Sequence, residues 1–370
     1  MTHPPSPADV RIGVVGCGRA AASLHVPALA RVPGAAIVAL ADRDPARLRE
    51  LASRCEGAAA YANYQDLLHD ERVTLVAVCV PAALHAEVAT AALRARKHAF
   101  IEKPLALTLD DCDRLAGQAI KAESSGIRSA VGFNLRSHRL LRQAKAVIRS
   151  GALGEIELLQ TVWTADWAGA VRPEWHAVRT QGGGALLEIG THQADLWRWL
   201  LDTEVESVHA LSRSTDFDDQ TATFQARLAS GALVSASASQ RTVSRNTVEV
   251  FGSRGSLRLS CYHADSLEVA TLGERASGLW RRVEHVLGKV GKLPAAIGSA
   301  RRGGDFLMSY VHQWEHIVTG LRSGVPMPAT VHDGRQAAEI VLAALRSAEQ
   351  GTAVSLAGPA GPRKADARTG

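Results

Sequence analysis

Over the first 134 residues, short apolar runs alternate with longer stretches in which apolar and polar positions follow a helical period. The runs at 11–16, 36–41, 74–80, 98–102 and 129–133 predict strands. The stretches at 20–31, 45–55, 63–70, 83–96 and 108–124 predict helices, with Asp44-Pro45 and Thr108 as helix starts. A strand–helix alternation of this kind is the signature of a doubly wound parallel sheet, an α/β domain of the Rossmann type.

After 134 the pattern changes. A helix at 138–150 runs into Ser150-Gly151, a strand follows at 154–164, and the turn Gly182-Gly183-Gly184 opens another helix. Between 205 and 271, runs that alternate apolar with polar residues are separated by Ser230-Gly231 and Gly252-Ser253-Arg254-Gly255, which predicts a mostly antiparallel sheet. Some of its runs are apolar on both alternations, as at Leu233-Val234 and at Val248, Val250 and Phe251, so the sheet needs a cover for its second face. Helices at 306–322 and 334–348 close this part. The Gly- and Arg-rich stretch 273–305 reads as a cover for the sheet, an oligomer contact or a lid, and 357–370 as a disordered tail. The expected division is a dinucleotide-binding domain over 10–134 and an α+β domain for substrate binding and oligomerisation over 135–356.

Composition narrows the classes. The 370 residues are 46% hydrophobic and 21% charged with a formal net charge of +5, ordinary for a two-domain globular protein. No run of Lys and Arg interleaved with aromatics predicts a nucleic-acid surface, and no uncharged apolar run predicts a membrane span. Residues 1–9 hold three prolines and an aspartate and no apolar core, so no signal peptide is expected. The cysteines at 17, 55, 79, 112 and 261 are scattered and lack metal-ligand spacing, which fits a reducing cytoplasm and no metal.

The most informative chemistry follows the first strand. Gly16-Cys17-Gly18-Arg19-Ala20-Ala21 matches G-x-G-x-x-G/A. Gly16 permits the tight turn, Gly18 lacks the Cβ that would block a pyrophosphate, and Ala21 lets the next helix pack close, with free N–H groups facing the anion. Asp42 ends the second strand 21 residues beyond Ala21, where an acid binds a ribose 2′-hydroxyl. These residues predict NAD; the neighbouring Arg43 keeps NADP open by pairing with a 2′-phosphate.

Three further clusters share the order and spacing of one family: Val80-Pro81 with His85, Glu102-Lys103-Pro104, and Gly182-Gly183-Gly184 followed by Glu188, His192 and Asp195. With Gly132-Phe133-Asn134-x-Arg136 and Ser150-Gly151-x-Leu153-Gly154, they closely resemble the Gfo/Idh/MocA family, the relatives of glucose–fructose oxidoreductase and inositol dehydrogenase, over residues 10–350. The resemblance implies a nicotinamide-dependent oxidoreductase acting on a carbinol or carbonyl carbon of a sugar, sugar derivative or cyclic polyol, with two open-faced sheets packing in a dimer or tetramer. It places Lys103 beside the nicotinamide and the reacting oxygen and His192 as proton acceptor, with Pro81, His85 and Glu102 at the cofactor. An ammonium stabilises charge developing on that oxygen, and a neutral imidazole takes its proton near pH 7.

Where sugar-oxidising members carry Asp, this chain has Glu188, four residues before the histidine; on one α-helical face it would orient His192 or reach a substrate hydroxyl. Trp175, next to His176, either stacks on a sugar ring or packs in the core. Asn134 and Arg136 divide evenly between substrate contact and structure, Asp195 between the site and the helix surface. His25 reads as packing or capping the first helix. The family also holds hydrolases that keep NAD bound and use transient oxidation, and non-catalytic cofactor sensors; retention of Lys103 and His192 argues against a sensor.

Overall fold

The computed structural model describes residues 9–166, 174–262, 267–272 and 304–356. Six parallel strands, β1 (Val10–Val15), β2 (Ala35–Ala41), β3 (Ala59–Tyr61), β4 (Leu75–Val78), β5 (His98–Ile101) and β6 (Ser129–Val131), form one sheet in the order β3-β2-β1-β4-β5-β6. The order reverses between β1 and β4, which places a crevice at their carboxyl ends. On one face of the sheet Leu48 and Leu51 join Ile12, Val14 and Leu40 in a buried cluster. They come from α2 (Pro45–Ala52), which follows the short α1 (Val26–Leu29). On the other face α3 (Tyr64–His69), α4 (His85–Arg94) and α5 (Leu109–Glu123) bury Leu67, Val88 and Leu115 against Val15, Val76 and Val78.

The predicted helix starts are present as side-chain caps. Asp44 accepts the Ala46 N–H at 2.8 Å, and the Thr108 hydroxyl accepts the Asp111 N–H at 3.1 Å. The edge strand β3 was not predicted. Ala59-Ala60-Tyr61 holds no β-branched residue to mark it as a strand, and its conformation comes from backbone pairing with β2.

After α6 (Arg139–Arg149) come β7 (Ile156–Asp166), α7 (Thr191–Leu201), β8 (Val205–Arg213), β9 (Thr221–Leu228), β10 (Leu233–Ser239), β11 (Arg241–Gly252), β12 (Gly255–Ser260) and β13 (Glu268–Thr271). With β14 (Val354–Ser355) these strands form the second sheet, in the order β13-β12-β11-β7-β10-β9-β8-β14. Neighbours run antiparallel except β7 and β10, where Leu158 pairs with Leu233 in parallel register. Alternation works as predicted: Ala222, Phe224, Ala226 and Leu228 are buried while Thr223, Gln225 and Arg227 are exposed. The buried face packs on α7, where the Trp197 indole lies 5.2 Å from the Phe224 ring and donates to Thr161 at 3.2 Å. The opposite face is open and exposes Leu211, Leu233 and Phe251.

Two helices close the chain, α8 (Gly304–Ser323) and α9 (Val331–Gln350). The first of them, α8, crosses back to the first sheet. Its Tyr310, Val311, Trp314 and Ile317 share a core with Ile12, Val14 and Phe100. The short α1 leaves that face partly uncovered, and the apolar stripe of α8 covers it. The expectations for 273–303 and for the tail 357–370 lie outside the described residues. Among the described residues no helix is long and apolar enough to cross a membrane.

Candidate active site

The glycine loop closes the crevice at β1. Gly16 has φ +94°, and a Cβ there would lie 2.6 Å from the backbone carbonyl of Cys79, so only glycine lets the ends of β1 and β4 approach. At Gly18 a Cβ would meet nothing within 4 Å, so the loop has open space where a pyrophosphate needs to approach. Ala21 is fully buried, as close packing of the next helix requires. That helix is already α-helical at Arg19 and Ala20, widens into a π-turn over Ala21–His25 and continues as α1. Arg19 and Arg43 are exposed at the rim, and Ala20 is half-buried. Asp42 accepts the Cys17 N–H at 2.7 Å and the Asp44 N–H at 2.8 Å. A carboxylate offers about four acceptor positions, so Asp42 holds the loop and still has lone pairs for ribose hydroxyls. These features fit a bound dinucleotide.

At the ends of β4 and β5 two residues expected at the cofactor have side chains that bond within the protein. His85, beyond Pro81, is buried with its ring nitrogens 2.7 Å from the Pro104 carbonyl and 2.9 Å from that of Val80. It therefore braces the two strand-end loops from beneath. Glu102 is buried as well: one carboxylate oxygen lies 2.8 Å from His25 Nε2, and the other accepts the Lys103 N–H at 3.0 Å. Burial pushes the Glu102 carboxyl up, but the His25 hydrogen bond and the nearby Lys103 charge outweigh it and hold the group at about 2. The Lys103 ammonium crosses to the second domain and donates to the Glu188 backbone carbonyl at 3.1 Å.

That carbonyl belongs to a second π-turn, Leu186–Gly190, which leads into α7. Thr191 supports the turn by donating its hydroxyl to the Leu187 carbonyl at 2.7 Å. His192 follows, 4% exposed, with its ring centroid 5.0 Å from Trp163 and 6.2 Å from Phe133. Its Nδ1 has no hydrogen-bond partner among the described residues. Burial, and then the Lys103 charge, push the His192 pKa well below its ordinary value of 6.5, with Glu102 opposing in part. The site thus holds a neutral imidazole near an ammonium.

Glu188 does not orient His192 as expected. Its carboxylate lies 2.8 Å from Nδ1 of His176. The physical reason is the π-turn, whose wider winding breaks the four-residue alignment of an α-helix. His176 stacks on Trp175, centroids 3.6 Å apart at 23°, so Trp175 is engaged with its neighbour. The glycine run fits this segment: a Cβ on Gly183 would lie 2.3 Å from the His176 carbonyl oxygen. His176 was missed as a site residue, although its place beside Trp175 before the glycines was a usable signal. For Arg136 the structure shows the structural alternative. It pairs with Asp195 at 2.5 and 2.9 Å and with Asp333 at 2.9 Å, a buried cluster that joins the end of β6 to α7 and α9. Asn134 is buried and donates to Ser309 at 2.7 Å.

Known proteins share this arrangement. The sequence model of an oxidoreductase family with an NAD-binding Rossmann fold matches residues 10–127, and that of the GFO/IDH/MocA C-terminal domain matches 141–258. The myo-inositol 2-dehydrogenase of Thermotoga maritima is 29% identical over 364 residues, covering 94% of this chain and 98% of the relative. The inositol 2-dehydrogenase of Acidothermus cellulolyticus is 35% identical over 207 residues, 55% of this chain and 57% of that protein. In three dimensions the levoglucosan dehydrogenase complex with NADH and levoglucosan superposes with a TM-score of 0.80 at 24% identity, covering 94% of this chain and 99% of that one. The two family models together match more than half of the sequence, and the chain belongs to the GFO/IDH/MocA family of NAD-binding oxidoreductases.

Proposed function

We propose that this protein is an NAD-dependent dehydrogenase or reductase that interconverts a carbinol and a carbonyl on a sugar, sugar derivative or cyclic polyol, with Lys103 and His192 at the reacting carbon. The observation that carries this reading is His192, buried against Trp163 and Phe133 with its Nδ1 unpartnered among the described residues, where burial and the Lys103 charge both favour the neutral ring. Similarity over nearly the whole chain to a myo-inositol 2-dehydrogenase supports the substrate class. The bound nicotinamide supplies the hydride acceptor for oxidation and the hydride donor for reduction. Gly16, Gly18, Arg19, Ala20 and Ala21 shape its phosphate site, and Asp42 accepts from its ribose hydroxyls. Lys103 donates to the reacting oxygen and stabilises the charge that builds there, lowering the effective pKa of a hydroxyl. His192 takes the hydroxyl proton, which a depressed pKa leaves it free to do at neutral pH.

Asp42 favours NAD over NADP because a carboxylate repels a 2′-phosphate. The open sheet face, with exposed Leu211, Leu233 and Phe251, supports pairing of two copies in a dimer or tetramer. Five unpaired, buried cysteines support a reducing cytoplasm. A screen of polyols, sugars and nucleotide sugars against NAD and NADP, read by absorbance of the reduced cofactor, tests the proposal. Net NADH formation with a polyol or sugar is expected; release of sugar without net NADH would instead identify a hydrolase.

A further inference from the structure

His25 has no part in the reaction described above, yet it is fully buried and both of its ring nitrogens are engaged. The indole of Trp314 can only donate, so its 3.1 Å bond to Nδ1 makes that nitrogen an acceptor. The proton of the neutral ring must then sit on Nε2, which donates to Glu102 Oε1 at 2.8 Å. The other Glu102 oxygen accepts the backbone N–H of Lys103 at 3.0 Å. Edge contacts with Phe100 at 5.1 Å, Tyr310 at 5.5 Å and Trp314 at 5.8 Å leave the imidazole no room to turn.

We infer that His25 is a positioning residue for Lys103, the second member of a hydrogen-bonded chain that runs from Trp314 on α8 through His25 and Glu102 to the Lys103 peptide. The inference rests on the reading of Lys103 given above. Two effects follow from the chain. It fixes the backbone from which the Lys103 side chain projects, and it supplies the donor that keeps a buried carboxylate ionised beside the ammonium. Without that donor Glu102 loses a charge-assisted bond in a site that excludes water, and its protonation moves to higher pH.

The other titratable groups that act on or feel Glu102 are Lys103, His192, His85, Cys79 and Tyr310. Burial keeps the Cys79 thiol and the Tyr310 phenol protonated, and it keeps His85 and His192 neutral. Loss of the His25 donor therefore adds a second protonation, that of Glu102, to the acid side of the rate profile.

His25→Phe keeps a ring of similar size and removes the donor, whereas His25→Gln restores one. Both variants of the full chain, with NAD and the polyol oxidised fastest in the screen, are compared with the wild type in melting temperature, NADH affinity, kcat, KM and pH profile. In His25→Phe kcat is expected to fall about tenfold or more with KM and NADH affinity changed less than about threefold, the split expected when a transition-state interaction is lost. Its acid limb moves to higher pH, and His25→Gln regains most of the rate. A folded His25→Phe with wild-type kcat and acid limb overturns the inference. If neither variant folds, Trp314→Phe removes the bond to Nδ1 together with part of a buried ring; reduced kcat with KM and NADH affinity near wild type supports the chain, and unchanged kcat and pH profile overturn it. Lys103→Met separates the two levels: an active Lys103→Met removes the reading of Lys103 itself, while an inactive Lys103→Met beside a normal His25→Phe removes only the role of His25.

Discussion

Two buried histidines stand on either side of Lys103, and they are held in opposite ways. His25, under the cofactor loop, has both ring nitrogens bonded and one possible tautomer. His192, on the substrate side, rests among aromatic rings with Nδ1 bonded to nothing among the described residues. The first arrangement suits a ring that holds its neighbours in place, since both nitrogens are committed to bonds. The second suits one that must exchange a proton, because no fixed partner competes for it. Burial alone therefore does not tell a base from a brace; the number of committed ring nitrogens does.

Removing Lys103 should break the comparison at its centre, because both histidines are read through it. Lys103→Met is expected to lower kcat by about 10²–10³, the usual cost of losing a donor to a developing oxyanion. NADH affinity, measured by fluorescence titration, should stay within a few-fold of wild type. A nearly normal kcat would show that neither side of the site serves this lysine.

A smaller effect is expected on the cofactor side. Asp42→Ala removes the acceptor of the Cys17 N–H as well as the ribose acceptor. NAD affinity should fall by about tenfold or more, in line with the net worth of about 1.5–3 kcal/mol of a hydrogen bond to a charged group. Calorimetric titration with NAD and NADP checks this, and the preference for NAD should shrink in parallel.

The smallest effect belongs to Glu188. Its carboxylate serves His176, and it is absent from the charges that set the pKa of His192. Glu188→Gln should leave kcat within about threefold of wild type, since a neutral acceptor still satisfies His176. A large displacement of the acid limb in this variant would mean that Glu188 acts on the base after all.

The sequence made the cofactor half legible because its signals are local. Gly16, Gly18 and Asp42 lie within one strand–helix–strand unit, and the Thr108 cap is separated from its partner by three residues. The same reading missed the His25–Glu102 pair, whose members are 77 residues apart, and Trp314, 289 residues beyond His25. The first contact needs the end of β5 to meet the helix after the glycine loop, and the second needs α8 to return to the first sheet; no local pattern encodes either. The partner of Glu188 was lost for a different reason. Counting four residues to His192 presumes an α-helix, and the π-turn at Leu186–Gly190 changes the winding. Arg136 was ambiguous because a lone arginine after an asparagine looks the same whether it meets a substrate or, as here, Asp195 and Asp333.

The pH dependence of kcat/KM for alcohol oxidation tests the central claim most directly, with His192→Ala measured beside the wild type. A free histidine titrates near 6.5, and burial together with Lys103 favours the neutral ring here, so protonation requires a lower pH. The rate should therefore be flat through neutrality and fall with a midpoint below 6.5, and His192→Ala should lose about 10²–10⁴ in rate together with that acid limb. A wild-type midpoint above 6.5, or a His192→Ala enzyme that keeps both rate and profile, would contradict the account.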